Sequence, residues 1–336
     1  MQIIRALMTR LLTTAITLLG VAVIVFFVIR VVPGNPIAMM LPPGATDADI
    51  LRLKELYGFD KSIPAQFFIW LGGVMEGDFG TSISLRQPVL ALVLGRLPAT
   101  LELSVMALVI AVMLGGVMAL IGTRLRGTRT ETAIDVGNGM ALSVPDFLWG
   151  LVLILAFGVL MPVFHISGRV SPSLDLPFTT QFYLVESVLR GRFDIWLDLV
   201  SHMFMPALAL AIPLAAIIGQ LLKQSLKETM HLDYVTLART KGYGETRVIL
   251  REALRNAVLP TLTLIGVQFT FLIGGTVIIE RLFSYEGLGN MAIDAVINRD
   301  LPLIQGIVIL FALLFTLINL AVDMSYALLN PRLRHG

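Results

Sequence analysis

The side chains with the readiest chemistry are four histidines, His165, His202, His231 and His335. Imidazole moves protons near neutral pH and ligates metals. A zinc hydrolase of the H-E-x-x-H type, however, needs two of them one helical turn apart with a glutamate beside the first. Here they fall singly in loops and at a terminus, so their spacing assigns no catalytic residue and no metal cluster. The chain has no cysteine, which removes thiolate ligands and disulfides. No G-x-x-x-x-G-K-[ST] loop occurs to cradle a nucleotide. What remains is a concentration of charge. Residues 223–258, KQSLKETMHLDYVTLARTKGYGETRVILREALRNAV, hold Lys223, Lys227, Arg239, Lys241, Arg247, Arg251 and Arg255 against Glu228, Asp233, Glu245 and Glu252. Such a stretch suits recognition of another surface better than bond-making.

Its pattern predicts helix, glycine break, helix, closed by Leu259-Pro260. Asp233 opens the first helix, on which Tyr234, Leu237, Ala238 and Lys241 share one face. Gly242 is free to take the left-handed conformation that ends a helix. Val248, Ile249, Glu252, Ala253 and Asn256 form the next face. Two helices joined at a glycine make a knob with apolar anchors and a basic rim, fit for a groove in a soluble partner. An amphipathic pair resting on anionic headgroups explains the charge equally directly.

The elements that must position this loop cross a membrane. The 336 residues are 56% hydrophobic and 14% charged, with mean hydropathy +0.85, whereas a soluble domain carries about a quarter charged residues. Six segments are long and apolar enough to span a bilayer: 11–29, 99–121, 134–163, 203–222, 259–279 and 303–328. The first is an uncleaved helix rather than a signal peptide, since its apolar run is long and no A-x-A pattern follows. Arg5 and Arg10, then Arg124, Arg126 and Arg129, then the seven loop cations, then Arg332 and Arg334 alternate onto one side. That side gathers fourteen cations against five acids. Basic residues in short loops mark the cytoplasmic face. Both termini are therefore expected inside, with loops 31–97 and 164–202 outside.

In the first outer loop, Asp47 to Leu56 reads as a short helix stopped by Tyr57-Gly58. Phe67 to Val74 is an apolar, aromatic run, and Gln87 to Leu97 a short interfacial helix before the second span. The second outer loop is followed by helix-like sequence from Phe182 to Leu199. Within the spans polar residues are few, and they must face other helices or an aqueous path. Asn138, Ser143, Gln268, Thr270 and Asn319 are the candidates for a path, although interhelical hydrogen bonding is the simpler account of any single one. Pro145, Pro206 and Pro213 open backbone hydrogen bonds, either as packed kinks or as cavity lining.

The string Asp233-Tyr234-Val235-Thr236-Leu237-Ala238-Arg239-Thr240-Lys241-Gly242 resembles the EAA loop of ABC importer permeases, and Ala253-Leu254-Arg255-Asn256-Ala257-Val258-Leu259-Pro260 is similar to its downstream half. Only Ala238 and Gly242 fit the general pattern literally. The longer run to Pro260 resembles the dipeptide/oligopeptide/nickel branch. Further elements fit that branch in order: Pro33-Gly34-Asn35-Pro36, Gly77-Asp78-Phe79-Gly80, Arg96 to Leu103, Ser143-Val144-Pro145, Ser167-Gly168-Arg169, Glu280 to Gly289, Arg299 to Gly306, and Asn330-Pro331-Arg332. Tyr285, Glu286 and Leu301 depart from the branch's usual Trp, Pro and Tyr.

The resemblance implies an all-α integral membrane protein with the type I ABC importer permease fold, six transmembrane helices and both termini cytoplasmic. Residues 1–95 would be the first helix and outer loop, and 96–336 the five-helix core carrying coupling loop 223–258. It implies no catalytic residue, cofactor or metal in this chain and no nucleic-acid partner. Its implied partners are a second homologous permease, two ATPases that bind ATP-Mg, an extracytoplasmic substrate-binding protein and the bacterial or archaeal inner-membrane bilayer. Asp233, Tyr234, Leu237, Ala238, Arg239, Lys241, Gly242, Arg255, Asn256 and Pro260 would couple to the ATPase. Asn138, Ser143, Pro145, Gln268, Thr270 and Asn319 would line the path. Di- or oligopeptides head the implied cargo, with nickel chelates, glutathione or opine-like solutes as alternatives. An ion-coupled secondary transporter fits less well, because no inverted repeat is visible and Glu102, Asp135 and Asp323 lie towards span ends.

Overall fold

Long apolar runs without water around them must satisfy their backbone internally, and helices do so. The computed structural model describes the backbone of residues 2–31, 46, 51 and 60–329, and side chains over 12–28, 46, 51, 60–322 and 324. Those residues are helical apart from loops and one isolated bridge, Thr81 to Pro88. The helices are α1 (Gln2–Val31), α2 (Ile63–Glu76), α3 (Val89–Arg124), α4 (Arg129–Ser143) and α5 (Asp146–Leu153, continuing as a π-turn through Leu160). After these come α6 (Tyr183–Leu189), α7 (Phe193–Thr229), α8 (Asp233–Thr240), α9 (Glu245–Leu282, with a π-turn at Val248–Ala253), α10 (Leu288–Ile297) and α11 (Leu301–Leu329). The expected Asp47–Leu56 helix, the Pro33–Pro36 and Asn330–Arg332 elements and the Asp323 side chain lie outside the described residues.

Four helices, α3, α7, α9 and α11, are long and apolar enough to cross a membrane, and a fifth span arises if α4 and α5 are counted together. Leu12–Val28 of α1 is apolar but shorter than the 18-residue criterion among the described side chains.

Three sequence expectations are corrected. Segment 134–163 is not one straight span: α4 and α5 meet at 104°. Val144 precedes Pro145, whose ring disfavours the helical conformation one residue upstream, and Val144 is accordingly extended at φ −106°, ψ 124°. Gln87–Leu97 is no separate helix, because α3 runs unbroken from Val89 through Pro98. The expected helix at Phe182–Leu199 is split at Arg190-Gly191-Arg192, and its second half is the start of α7.

The chain divides into two compact units, Met1–Leu97 with Met291–Leu320, and Pro98–Asn290 with Ala321–Gly336. In the first, Phe26 of α1 is fully buried against Phe67 and Trp70 of α2, at ring-centroid distances of 5.2 and 5.4 Å. Asp300 organises the rest. Its carboxylate accepts from Ser82 Oγ (2.6 Å), Ser84 N (2.9 Å) and Ser84 Oγ (2.7 Å), and from Leu303 N at the start of α11 (3.2 Å). It is thus an N-cap that also pins a loop 216 residues earlier in the chain.

Burial pushes the Asp300 carboxyl upward, but the serine donors outweigh it and hold its pKa below the usual aspartate value. A depressed folded pKa means the stabilisation is complete above the unfolded value near 4 and is lost as pH falls through the folded one. Asp300→Ala is expected to cost about 1–2 kcal/mol near neutral pH. Thermal unfolding in detergent checks this, and the gap between variant and parent should close in acid.

In the second unit α7 is the centre. Its apolar window is 67% buried against 28% for α3 and α9, because α4, α5, α6 and α9 all pack on it. Ala99, Leu103, Ala107 and Ala111 recur every fourth residue on α3 and join Ala207, Ala211, Leu214, Ala215 and Ile218 of α7 in one core. Lipid tails are as apolar as leucine, so helices in a bilayer associate through close backbone approach at small residues. Gly115 shows the limit: a Cβ there would sit 2.4 Å from the carbonyl oxygen of Ala215.

Candidate functional site

The basic stretch folds as the end of α7, then α8, a glycine turn and the start of α9. Gly242 has φ +79°. Its N–H donates to the Arg239 carbonyl, and Tyr243 N–H to the Ala238 carbonyl. That 6→1, 5→2 pair is the Schellman ending, which requires a left-handed residue at this place. The expectation at Gly242 therefore holds. The second helix is different: it is not closed at Leu259-Pro260, because α9 carries Pro260 inside it and continues to Leu282. The knob is consequently built on the foot of a spanning helix.

The two faces of α8 are divided sharply. Val235 and Ala238 are buried in a cluster with Leu222 and Leu226 of α7 and Val248, Ile249, Ala253 and Ala257 of α9. Tyr234 and Leu237 point away, 38% and 55% exposed, and Asp233, Lys241 and Arg255 are also exposed. Ala238, expected to share a face with Tyr234 and Leu237, is instead buried with Val235: a 100° step leaves it about 40° from Tyr234 and about 60° from Val235, at the edge between the two faces, and the packing of α7 and α9 covers it. Asn256 donates to the Tyr234 hydroxyl at 2.8 Å, which fixes that ring against α9.

Arg239 pairs with Glu245 at 2.9 Å and also donates to the Met230 carbonyl, so it braces the turn. This partly exposed pair is worth little by itself. Behind α8, Lys223 Nζ lies 2.7 Å from Glu131 and 2.8 Å from Asp135 of α4. A cleft of about 520 Å³ opens there, lined by Arg124, Arg126, Lys227 and Arg239 among others.

The other sequence candidates divide between the two units. In the second unit Asn138 and Thr270 are buried, Gln268 half-buried, and Ser143 and Pro145 exposed at the α4–α5 bend. Ser143 and Thr270 donate back to the carbonyls of Gly139 and Gly266, one turn earlier. Asn319 belongs to α11 in the first unit and is half-buried.

Two buried carboxylates were not singled out from sequence as site residues. Glu102 of α3 meets Arg169 at 2.7 Å with side chains 4% and 5% exposed, and accepts from Leu184 N–H at 2.8 Å. Arg169 also donates to the Gln181 carbonyl and lies over the Tyr183 ring at 4.1 Å, beside fully enclosed Tyr285. Glu280, fully buried, accepts from Thr100 Oγ1 (2.7 Å), Gly289 N (2.7 Å) and Asn290 N (3.1 Å). Those amides open α10, where unpaired donors and the helix dipole favour a negative charge. The run Glu280 to Gly289 is therefore one capping device. A carboxylate in an apolar helix was the available clue, but its partner Thr100 is 180 residues away.

His165 and His202, scattered in sequence, are brought together: their rings stack with centroids 4.0 Å apart, and Asp198 lies beside them.

Residues 79–335 match the family described as binding-protein-dependent transport system inner membrane component, and residues 3–104 match its N-terminal counterpart. The chain is 35% identical over 321 residues to the di/tripeptide transport system permease protein DppB of Pseudomonas aeruginosa, covering 95% of each. It is 37% identical over 328 residues to the dipeptide transport system permease protein DppB of Escherichia coli, again covering 95% of each. The glutathione transport system permease protein GsiC of Salmonella choleraesuis shares 34% over 329 residues and 97% of each chain. One solved structure, of an amino acid ABC transporter with histidines, has 14% identity and a TM-score of 0.49 over 70% of this chain and 93% of that one.

Proposed function

The chain belongs to the family of binding-protein-dependent transport system inner membrane components, and from that premise we propose that it is the permease subunit of an ATP-driven importer of di- or oligopeptides. ATP-Mg is held by two separate ATPase subunits, cargo arrives from an extracytoplasmic binding protein, and a second homologous permease completes the pathway. Six helices cross the inner membrane with both termini in the cytoplasm, the loop 223–258 faces the ATPases, and 1–95 and 96–336 act as outer-loop region and core. Relatives named for dipeptides and di/tripeptides support a peptide cargo. The relative named for glutathione, itself a tripeptide, keeps short modified peptides within the same reading. Asn138, Ser143, Pro145, Gln268, Thr270 and Asn319 are proposed to line the path.

One observation carries the coupling assignment. α8 buries Val235 and Ala238 in its own subunit while leaving Tyr234 and Leu237 uncovered. A short helix anchored on one face and apolar on the other transmits displacement: a cleft gripping Tyr234 and Leu237 would drag α7 and α9 with it. ATP-driven closure of the ATPase pair would then rock the permease between inward-open and outward-open states. Asp233, Lys241 and Arg255 supply the charged rim, Arg239 braces the turn, and Asn256 holds Tyr234. Pro260 lies in the helix foot that moves with them.

Leu237→Asp tests this. It places a charge on an exposed position, so the permease should insert at parental levels, while co-purification of the ATPase subunits falls at least about tenfold, as expected for a desolvated charge in an apolar contact. Full retention of the ATPases and of peptide uptake would overturn the assignment.

A further inference from the structure

We propose that His165, His202 and Asp198 form a binding site for a borderline divalent transition ion of the zinc, nickel or cobalt class, clamping the segment after α5 onto α7. One ring nitrogen from each histidine and one carboxylate oxygen lie within 4.8 Å of one another. Asp198 and His202 stand one turn apart on α7, and His165 comes from the loop that follows α5.

The hydrogen bonds around the rings prepare them as ligands. His202 Nδ1 lies 2.8 Å from the Asp198 backbone carbonyl, an acceptor only, so Nδ1 carries the proton and Nε2 the lone pair. His165 Nδ1 lies 2.8 Å from Ser201 Oγ. That hydroxyl spends its own proton on the Asp198 carbonyl at 2.7 Å, so it accepts from His165, again leaving Nε2 free. Tying one ring nitrogen to a carbonyl or hydroxyl while the other stays available is the usual outer-shell arrangement of metal-bound histidine. The Asp198 carboxylate is aimed in the same way, by Ser171 N–H (2.8 Å) and Ser171 Oγ (2.6 Å).

The two imidazoles lie parallel, with an interplanar angle of 4°, and a ring's lone pair lies in its own plane, so the exposed His165 ring has to turn out of the stack to share an ion with His202. Ligand atoms about 2.1 Å from one ion lie within about 4.2 Å of each other, so the 4.8 Å grouping is near the required spacing and rotation of the His165 side chain would complete the set. His165 is exposed and Asp198 half-buried, while His202 is buried, which gives an ion a way in. Two nitrogens with one carboxylate suit zinc-class ions and disfavour magnesium or calcium, which prefer all-oxygen shells.

The test is zinc titration of the purified, tag-free full chain in detergent by calorimetry, with the visible spectrum of bound cobalt(II) as a second readout. One zinc per chain is expected, with a raised melting temperature. His165→Ala, at an exposed position that keeps the fold, should weaken binding at least hundredfold and remove the cobalt spectrum without changing ion-free melting. Ser201→Ala, which removes only the ring's orienting partner, should weaken it about tenfold to hundredfold. No saturable binding by the parent chain, or unchanged affinity in His165→Ala, would overturn the proposal; the remaining histidines, His231 and His335, are intact in that variant.

Discussion

Peptide uptake by the assembled transporter is expected to fall about tenfold or more when Gly242 is replaced by valine, while the protein still inserts. Nothing lies within 4 Å of where a Cβ at Gly242 would stand, so a larger side chain meets no wall. The cost is in the backbone: φ is +79°, a region that β-branched residues avoid. Leaving it would break the bonds from Gly242 to Arg239 and from Tyr243 to Ala238, and with them the angle between α8 and α9. A left-handed penalty of about 1–2 kcal/mol shifts a two-state loop by roughly five- to thirtyfold. ATP hydrolysis should persist in the assembled complex while uptake is lost, the sign of uncoupling. Gly242→Asn is the control, since asparagine tolerates the left-handed region and should retain most uptake. Parental uptake in Gly242→Val would sink the idea.

The sequence made some of this visible and hid the rest for identifiable reasons. Gly242 was legible because a left-handed helix stop depends on a single residue type next to a periodic segment. The α8 anchor was half legible: helical spacing placed Tyr234 and Leu237 together, but assigned Ala238 to their side because the face it buries is defined by α7 and α9. Pro145 marked a break without revealing a 104° bend, since the angle follows from Val144 being driven extended and from what the two short helices then pack on. Pro260 misled in the opposite direction. A proline forfeits one N–H bond and disturbs one carbonyl, and a long membrane helix held by neighbours tolerates that. Least visible were pairings that only tertiary structure creates: Ser82 with Asp300, Thr100 with Glu280, and His165 with His202. Each joins residues dozens to hundreds of positions apart, and periodicity carries no information about them.

The family elements acquire physical reasons once those pairings are known. The Glu280–Gly289 run is a carboxylate laid across the first amides of α10. Arg299 to Gly306 contains a cap that reaches back to Ser82 and Ser84. Arg96 to Leu103 supplies Thr100 and Glu102, the partners of Glu280 and Arg169. Two motifs that read as separate short strings, Arg96 to Leu103 and Glu280 to Gly289, thus become the two halves of one buried polar contact.

Breaking the Glu102–Arg169 contact is expected to be strongly destabilising. Both side chains are 5% exposed or less, so Glu102→Ala leaves a guanidinium with its charge uncompensated, at a cost of about 3–5 kcal/mol. Leu184 N–H loses its acceptor in the same step, adding about 1–3 kcal/mol where no water replaces it. Removing both charges with volume kept, as Glu102→Leu with Arg169→Met, should recover most of the stability, because an apolar pair escapes the desolvation that the ion pair must offset. The double variant separates fold from function. Thermal unfolding in detergent should return close to the parental midpoint. If the pair serves only to hold the loop after α5 against α3 and α6, uptake returns with it. If uptake stays low while stability is regained, the charges themselves take part in the transport cycle. A single Glu102→Ala protein that melts like the parent would contradict the burial on which this expectation rests.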